Sequence, residues 1–496
     1  MRGHEDAFGS SRSAFAEAIG WLETDRAAGL THAELEDQLG ERGRELLRRM
    51  YQDHLALRTH EEARVEVTDA EGVLHGAVEE GHGRSLATIF GPVEVVRLAY
   101  RHRSHANLHP ADGALNLPIE RHSHGIRRLA ALEAARGSFS SAKEAIARAT
   151  GSVIGKRQVE DLARRGALDV EAFYDTARAP ATAPGDVVVI SVDGKGIVMR
   201  PESLRAATAA RAARSEHKLQ TRLSKGEQSN RKRMAEVGAV YDVAPVPRSA
   251  ADVLSRPGAD EDRPPAPEAV NKWVTASVAE DATEVVVRAF DEAHRRDRRH
   301  RRTWVALVDG NVHQIDALRA EAARRRVTLS IVVDFVHVLE YLWAAAWCFF
   351  DEGDPAAEAW VAGRATAVLE GKATEVAAGI RRRSSSQGLA KSRRRKADLA
   401  ARYLTNKAEY LDYPTALASG WPIATGVIEG TCRYLVKDRM DITGARWSVE
   451  GAEAVLKLRA VRCNGDFDEY WRFHLAEERR RNHELRYADS VIPLAA

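Results

Sequence analysis

Three short apolar runs in the middle of the chain each lead into an aspartate. Val187–Val192 meets Asp193, Trp304–Val308 meets Asp309, and Thr328–Val333 meets Asp334. Runs this short and this rich in Val, Ile and Leu read as buried strands rather than helices. Glycine follows the first two aspartates, and Asp-Gly is a favoured turn pair, so each site taken alone is explained by turn chemistry. Two such carboxylates closing buried strands, with a glutamate on a basic helix further along, call for a different explanation.

The elements between these runs set the topology. Glu236–Val243 and Lys272–Val278 are β-rich, 283–299 and 312–325 have helical periodicity, and Thr328–Val333 is the last strand. The order strand, strand, strand, helix, strand, helix, strand resembles the ribonuclease-H-like order. That order implies that the first and fourth strands lie side by side, joining Asp193 to Asp309. An acidic helix is then expected soon after the fifth strand. The glutamate that fits, Glu429, comes far later, so residues 338–420 read as an inserted unit. Its alanines, Trp343, Trp347, Trp360 and one long basic block make it all-helical in expectation.

Glu429 belongs to the stretch Gly426–Met440, which reads as a helix carrying Arg433 and Lys437 at successive i+4 steps on the glutamate's face. Phosphodiester chemistry requires an activated oxygen and neutralised phosphate charge, and two Mg²⁺ held by a few carboxylates meet both needs. Asp193, Asp309 and Glu429 are the expected catalytic and metal-binding set. Asp334 and His337, in Asp334-Phe-Val-His337, compete with Asp309 for the metal or orient substrate. His313 reads as a helix-start residue.

Upstream, residues 10–62 read as two amphipathic helices, the second opened by the capping box Thr31-His-Ala-Glu34. Strands follow over 64–68, 85–90 and 93–100, with Gly91-Pro92 as the hairpin turn. Residues 138–167 have the outline of a helix-turn-helix, with a capping box at Ser141–Glu144, a turn at Thr150-Gly151, and a second helix from Lys156 to Arg165. Lys156, Arg157 and Gln158 at its start are the expected DNA contacts; a plain helical hairpin is the alternative. Lys and Arg number 74 against 72 Asp and Glu. The charge is nonetheless clustered, in Arg295–Arg302 and in Arg381–Lys396, which favours a nucleic-acid partner over a solvated surface. Cys348, Cys432 and Cys463 form no zinc spacing or disulfide framework, which fits a reducing cytoplasm. The longest apolar stretch, Val338–Phe350, is too short to span a bilayer and is broken by Glu340, and the N-terminus has no apolar signal core.

The segment Ser191-Val-Asp193-Gly-Lys-Gly-Ile-Val-Met-Arg-Pro-Glu-Ser-Leu-Arg205 resembles the first catalytic block of bacterial insertion-sequence transposases of the ISKra type. Gly426-Val-Ile-Glu429-Gly-Thr-Cys-Arg433 with Lys437–Trp447 resembles a later block, and Phe90-Gly-Pro-Val with Leu115-Asn-Leu-Pro118 the N-terminal signature. Asp334-x-x-His337 is similar to a motif of the related Mutator elements. The resemblance implies a DDE transposase that cleaves element ends and transfers strands into target DNA, using Mg²⁺ or Mn²⁺. It implies double-stranded DNA as partner, a homodimer or larger synaptic complex, and a cytoplasmic, nucleoid-associated location. Arg433, Lys437 and Arg446 would neutralise phosphates, and Trp447 would stack on a displaced base or pack in the core. The competing readings are a ribonuclease-H-like nuclease without strand transfer and a catalytically silent DNA-binding protein.

The expected fold is therefore a multidomain α+β chain. It has N-terminal helices (1–63), a small β unit and connector (64–137), and a helix-turn-helix-like region (138–179). A ribonuclease-H-like α/β catalytic core follows in two parts (185–337 and 421–496), interrupted by the all-helical insertion (338–420).

Overall fold

The computed structural model describes residues 7–214, 231–255, 263–442 and 444–494. The basic, alanine-rich residues 200–235 and the proline-rich, acidic residues 245–268 lie partly outside the described residues. The chain is a mixed α+β protein that divides into two compact units, Met1–Thr176 with Gly465–Ala496, and Ala177–Asn464.

In the first unit, helices Gly9–Leu22, Asp25–Ala28 and His32–His60 precede a three-stranded antiparallel sheet of β1 (Ala77–Thr88), β2 (Gly91–His102) and β3 (His105–Leu108). The capping box is present. Glu34 N–H donates to the Thr31 hydroxyl, and Thr31 N–H donates to the Glu34 carboxylate at 2.9 Å. Two local expectations need correction. Residues 64–68 form no strand, making only the isolated bridge Thr68–Leu74. The hairpin turn is Ile89-Phe90, because Thr88 pairs with Gly91 and Gly91-Pro92 opens β2.

Helices His124–Arg136, Phe139–Thr150 and Lys156–Arg165 follow. The second is capped by Ser138, whose hydroxyl accepts from Ser141 N–H at 3.0 Å, three residues before the expected start. Gly151 ends it in the left-handed conformation (φ 68°), the usual glycine stop. Lys156 and Arg157 are exposed at the next helix start. Gln158 has a structural task as well, since its side-chain oxygen accepts from Gly155 N–H at 2.8 Å and caps that helix.

The last helix, Phe467–Asn482, belongs to the first unit and not to the catalytic core as expected. The reason is a buried polar network that its sequence does not announce. Arg127, fully buried, forms an ion pair with Glu478. His474 Nδ1 lies 2.6 Å from Asp169, and Arg481 donates twice to the same carboxylate at 2.6 and 2.9 Å. Burial alone would raise the Asp169 pKa; hydrogen bonds from His474 and Arg481 outweigh it and hold the carboxyl at about 2.

In the second unit a five-stranded sheet has the order β6 (Ala269–Ser277), β5 (Lys232–Val243), β4 (Val187–Val198), β7 (Trp304–Val308), β8 (Leu329–Val333). The first three are antiparallel and the last two run parallel to β4. β4 does not end at Asp193. It stays paired with β5 over its whole length, Val187 with Val243 through Val198 with Lys232. A Cβ at Gly194 would sit 2.8 Å from the Met234 methyl, the end of a flexible and exposed side chain that can swing aside. The segment between β8 and Glu429 is helical, with Phe335–Phe349, Pro355–Leu369, Ala373–Ser386, Lys391–Asn406 and Tyr413–Ala418.

The basic block Arg295–Arg302 is partly structural, with Arg298, Arg299 and Arg301 left exposed. Asp242, with no exposed surface, accepts from Arg296 at 3.0 Å and Arg302 at 2.6 Å, and Arg296 also meets Glu292 at 2.6 Å. These arginines neutralise a buried acid and are withdrawn from any nucleic-acid face. In Arg381–Lys396, by contrast, Arg381, Arg382, Lys391, Arg393, Arg395 and Lys396 are exposed. Among the described residues no helix is long and apolar enough to cross a membrane.

Removing one partner of a buried ion pair strands the other charge, at a cost of about 3–5 kcal/mol. Glu478→Ala should therefore destabilise the first unit by that order in denaturant unfolding. A loss below about 1 kcal/mol would show that Arg127 does not depend on this carboxylate.

Candidate metal centre

The aspartates meet because of strand register. Four β4 residues each pair with the residue 116 places on in β7, from Val188 with Trp304 to Ser191 with Leu307. Each β7 residue pairs with the one 25 places on in β8, from Trp304 with Leu329 to Val308 with Val333. The first register, carried two places further, sets Asp193 opposite Asp309. The second, carried one place further, sets Asp309 opposite Asp334. The register therefore leads three aspartates toward the same end of three adjacent strands, although among the described residues only Asp334 of the three is grouped at ligand distance with Glu429, and Asp193 and Asp309 lie outside that group.

Each is held by its own device. Asp193 lies within β4 where the parallel neighbour leaves; its Oδ1 accepts from Gly194 N–H at 2.6 Å, and its Oδ2 accepts from the Cys432 thiol at 3.3 Å. Asp309 follows β7 and accepts from Asn311 N–H at 2.8 Å, while its carbonyl accepts from Tyr403 O–H at 3.0 Å. Gly310 (φ 96°) passes under that tyrosine, whose oxygen would be 3.0 Å from an added Cβ. Asp334, fully buried, caps helix Phe335–Phe349 by accepting from Val336 N–H at 2.9 Å. Its Oδ2 accepts from Thr425 O–H at 2.6 Å and faces His337 Nδ1 at 3.2 Å.

Glu429 is exposed in the first turn of helix Gly426–Thr431. Its carboxylate lies with Asp334 and His337 in a group whose ligand atoms are all within 4.8 Å of one another. The expected accessory pair, Asp334 and His337, is therefore Glu429's immediate company. Asp193 instead meets the same segment through Cys432. Thr425 sits between the two carboxylates, 2.6 Å from Asp334 Oδ2 and 3.1 Å from Glu429 Oε1. One hydroxyl has one proton, so it cannot satisfy both. Two carboxylates this close repel unless a proton or a cation lies with them. Carboxylate oxygens with one imidazole suit a divalent ion.

Burial would raise the Asp334 pKa, but hydrogen bonds from His337, Thr425 and the Val336 amide bring it below the usual range. The hydrogen bond to Asp334 raises His337 to about 9 against the opposing effect of burial, with Asp334, Glu340 and Asp309 adding attraction. Burial, with Asp193 alongside, pushes the Cys432 thiol far up, so it is a hydrogen-bond donor and not a nucleophile. Burial also lifts Glu236, which pairs with Gly194 on β5 and lies near Asp193. Thr425, Cys432, Glu236 and Tyr403 were not singled out by sequence. No spacing marks them, since their roles arise only from elements distant in the chain.

The stretch 426–440 is not one α-helix. After Gly426–Thr431 comes a π-helical segment, Cys432–Lys437, then Asp438–Met440. In an α-helix a four-residue repeat precesses by about 40° per step; the wider π-turn removes that drift. Ile428, Cys432, Val436 and Met440 are all buried, and Glu429, Arg433, Lys437 and Asp441 are all exposed. The glutamate and its two cations therefore keep one face, by a geometry the sequence reading did not contain. Arg459 supports the wide turn by donating to the Leu435 carbonyl at 2.7 Å and to that of Tyr434.

Arg446 is exposed, but Trp447 is 5% exposed and structural. Its indole N–H donates to Met440 O at 3.0 Å, the Arg439 guanidinium lies 4.7 Å from its ring centroid, and its backbone pairs with the end of β4. Arg200 N–H donates to its carbonyl at 2.8 Å. Of the two roles expected for Trp447, core packing is the one present, and a ring committed to the core has no face for a nucleotide.

No protein-family model matches this chain, and no curated protein matches it.

In cation-free protein the His337 imidazolium should titrate near 9, followed by histidine NMR and assigned with His337→Gln. Its folded-state pKa lies above 6.5, so its stabilising effect is full below 6.5 and is lost as pH rises through about 9. A divalent ion on Asp334 competes with that proton, and adding Mg²⁺ should move the titration down. A ring titrating at its ordinary value without cations would refute the pairing.

Proposed function

We propose that the chain is a divalent-metal-dependent DNA transposase of the DDE class, built on a ribonuclease-H-like sheet with a helical insertion ahead of its acidic helix. The observation that supports this reading is the parallel pairing of β4, β7 and β8, whose register leads toward Asp193, Asp309 and Asp334, together with the grouping of Asp334 and His337 with Glu429 on a basic helical segment. The strand order supports it too, with three antiparallel strands flanked by two parallel ones.

In this reading Asp193, Asp309 and Glu429 would hold Mg²⁺, with Mn²⁺ able to replace it. Asp334 and His337, grouped with Glu429, would share in holding such an ion. Bound there, such ions supply charge stabilisation to the phosphate and lower the pKa of water. The chain's own residues do the rest. Thr425 and Cys432 orient the Asp334 and Asp193 carboxylates, each through one donated hydrogen bond. Arg433, Lys437 and Arg446, all exposed, neutralise phosphates flanking the reacting one. Hydrolysis at the element end would free a 3′-hydroxyl, and that hydroxyl would then attack a target phosphodiester in line, breaking its P–O3′ bond and releasing the target strand's 3′-hydroxyl. Oxygen nucleophiles serve both steps, so no covalent protein intermediate is required.

Lys156 and Arg157 at the start of their helix would contact element-end DNA, with Gln158 beside them as both cap and contact. A homodimer or larger complex would hold two ends together, acting at the nucleoid in the cytoplasm.

The test uses labelled element-end DNA with Mg²⁺ or Mn²⁺. Losing one ligand removes several kcal/mol of transition-state stabilisation. Asp193→Asn, Asp309→Asn and Glu429→Gln should each therefore cut cleavage at least about a hundredfold. Variants that nick as fast as the wild type would sink the assignment. Nicking without joined product would instead favour a nuclease, and DNA binding without any cutting a silent DNA-binding protein.

A further inference from the structure

A second cluster of metal-ligating side chains lies in the first unit, in a segment with no part in the chemistry above. The loop before β1 carries Asp69 and His75, and the β2–β3 hairpin carries His102 and His105. Asp69 and His75 are buried, at 4% and 2% exposure, and His105 is half-buried. The ligand atoms of Asp69, His75 and His105 all lie within 4.8 Å of one another.

The orientation of each group is fixed from outside. Asp69 Oδ1 accepts from the Val73 and Glu71 amides at 2.8 and 3.1 Å, which leaves Oδ2 aimed inward. His75 Nδ1 lies 3.2 Å from the Tyr100 carbonyl. A carbonyl only accepts, so Nδ1 carries the proton, and Nε2 points at Asp69 Oδ2, 3.0 Å away. A backbone carbonyl fixing one ring nitrogen so that the other faces inward is how proteins aim a metal-binding histidine. His105 Nδ1 approaches the same oxygen at 2.8 Å. The His102 ring, exposed and paired across the hairpin end, lies 5.1 Å from that of His105 and 5.9 Å from that of His75.

We propose that Asp69, His75 and His105 bind a zinc-like divalent cation, with His102 or a water as fourth ligand. Two imidazoles and a single carboxylate match the tetrahedral nitrogen-rich preference of Zn²⁺ and disfavour Mg²⁺, which seeks oxygen. The site is a structural staple. Its loop also carries the C-terminal segment, through Ala70 N–H to Arg486 O and Ala488 N–H to Thr68 O, both 3.1 Å. A cation would join this loop, the hairpin and the small core of Val67, Leu98, Tyr100, Leu108, Tyr487 and Ile492.

The test takes full-length protein freed of metal by chelation and titrates Zn²⁺ against a chromophoric chelator, with excess Mg²⁺ present to occupy the carboxylate centre. The wild type should bind one tight equivalent, show the visible absorption of tetrahedral Co²⁺ when cobalt replaces zinc, and gain Tm. His105→Ala, at a half-exposed hairpin position, should weaken Zn²⁺ binding at least about tenfold and lose the Tm gain. His105→Gln, which keeps the side-chain bulk, should do the same, whereas His337→Gln should leave both properties intact. Equal Zn²⁺ affinity and Tm gain in the wild type and both His105 variants would overturn the proposal, as would no zinc binding by the wild type.

Discussion

The candidate metal centre depends on the parallel pairing of β4, β7 and β8. Pairing fixes the relative height of every residue on three strands at once, and a one-residue slip would turn a whole strand's side chains over. β7 and the first half of β4 are buried on both faces, so their register is strongly specified by packing. Val188, Val189, Ile190, Val305, Ala306, Leu307 and Val308 have essentially no exposed surface. The energy that positions the acids therefore comes mainly from apolar burial beneath them and only locally from their hydrogen bonds.

On the opposite side of the centre the same job is done by a helical segment under constraint. Gly426–Met440 must keep Glu429, Arg433 and Lys437 outward over several turns while Ile428, Cys432, Val436 and Met440 stay in the core. A regular α-helix drifts off such a four-residue repeat, and the π-turn restores it. Wide turns leave carbonyls without ladder partners, and Arg459 takes two of them. Trp447 then ties the following chain to the end of β4, so the glutamate's segment and the Asp193 strand are joined at both ends. The centre is preorganised from two elements that never adjoin in sequence.

Much of this organisation was legible in the chain. Short Val-rich runs ending on aspartate, the capping box at Thr31, and the helical composition of the segment before Glu429 all follow from local rules of periodicity and capping. Errors arose where one signal had two physical uses. Asp193-Gly194 has the composition of a turn, yet it lies inside β4 because β5 pairs straight across it. Arg295–Arg302 has the charge of a nucleic-acid patch, yet buried Asp242 claims Arg296 and Arg302 and leaves only Arg298, Arg299 and Arg301 exposed. Trp447 has the chemistry of a stacking platform, yet its indole and backbone are spent within the core.

The sequence by itself determined most of the strands and helices, that Asp309 and Asp334 close buried strands, and that a glutamate stands on a basic face. Those properties are local, set by side-chain period and by capping within a few residues. Only the tertiary structure decided which acids share a neighbourhood. It joined Asp334 and His337 to Glu429 through Thr425, left Asp193 to Cys432, and moved the C-terminal helix to the first unit through Asp169 and Arg127. Such choices turn on partners dozens to hundreds of residues apart. No local pattern encodes which buried charge will find which counter-charge once the apolar faces have closed.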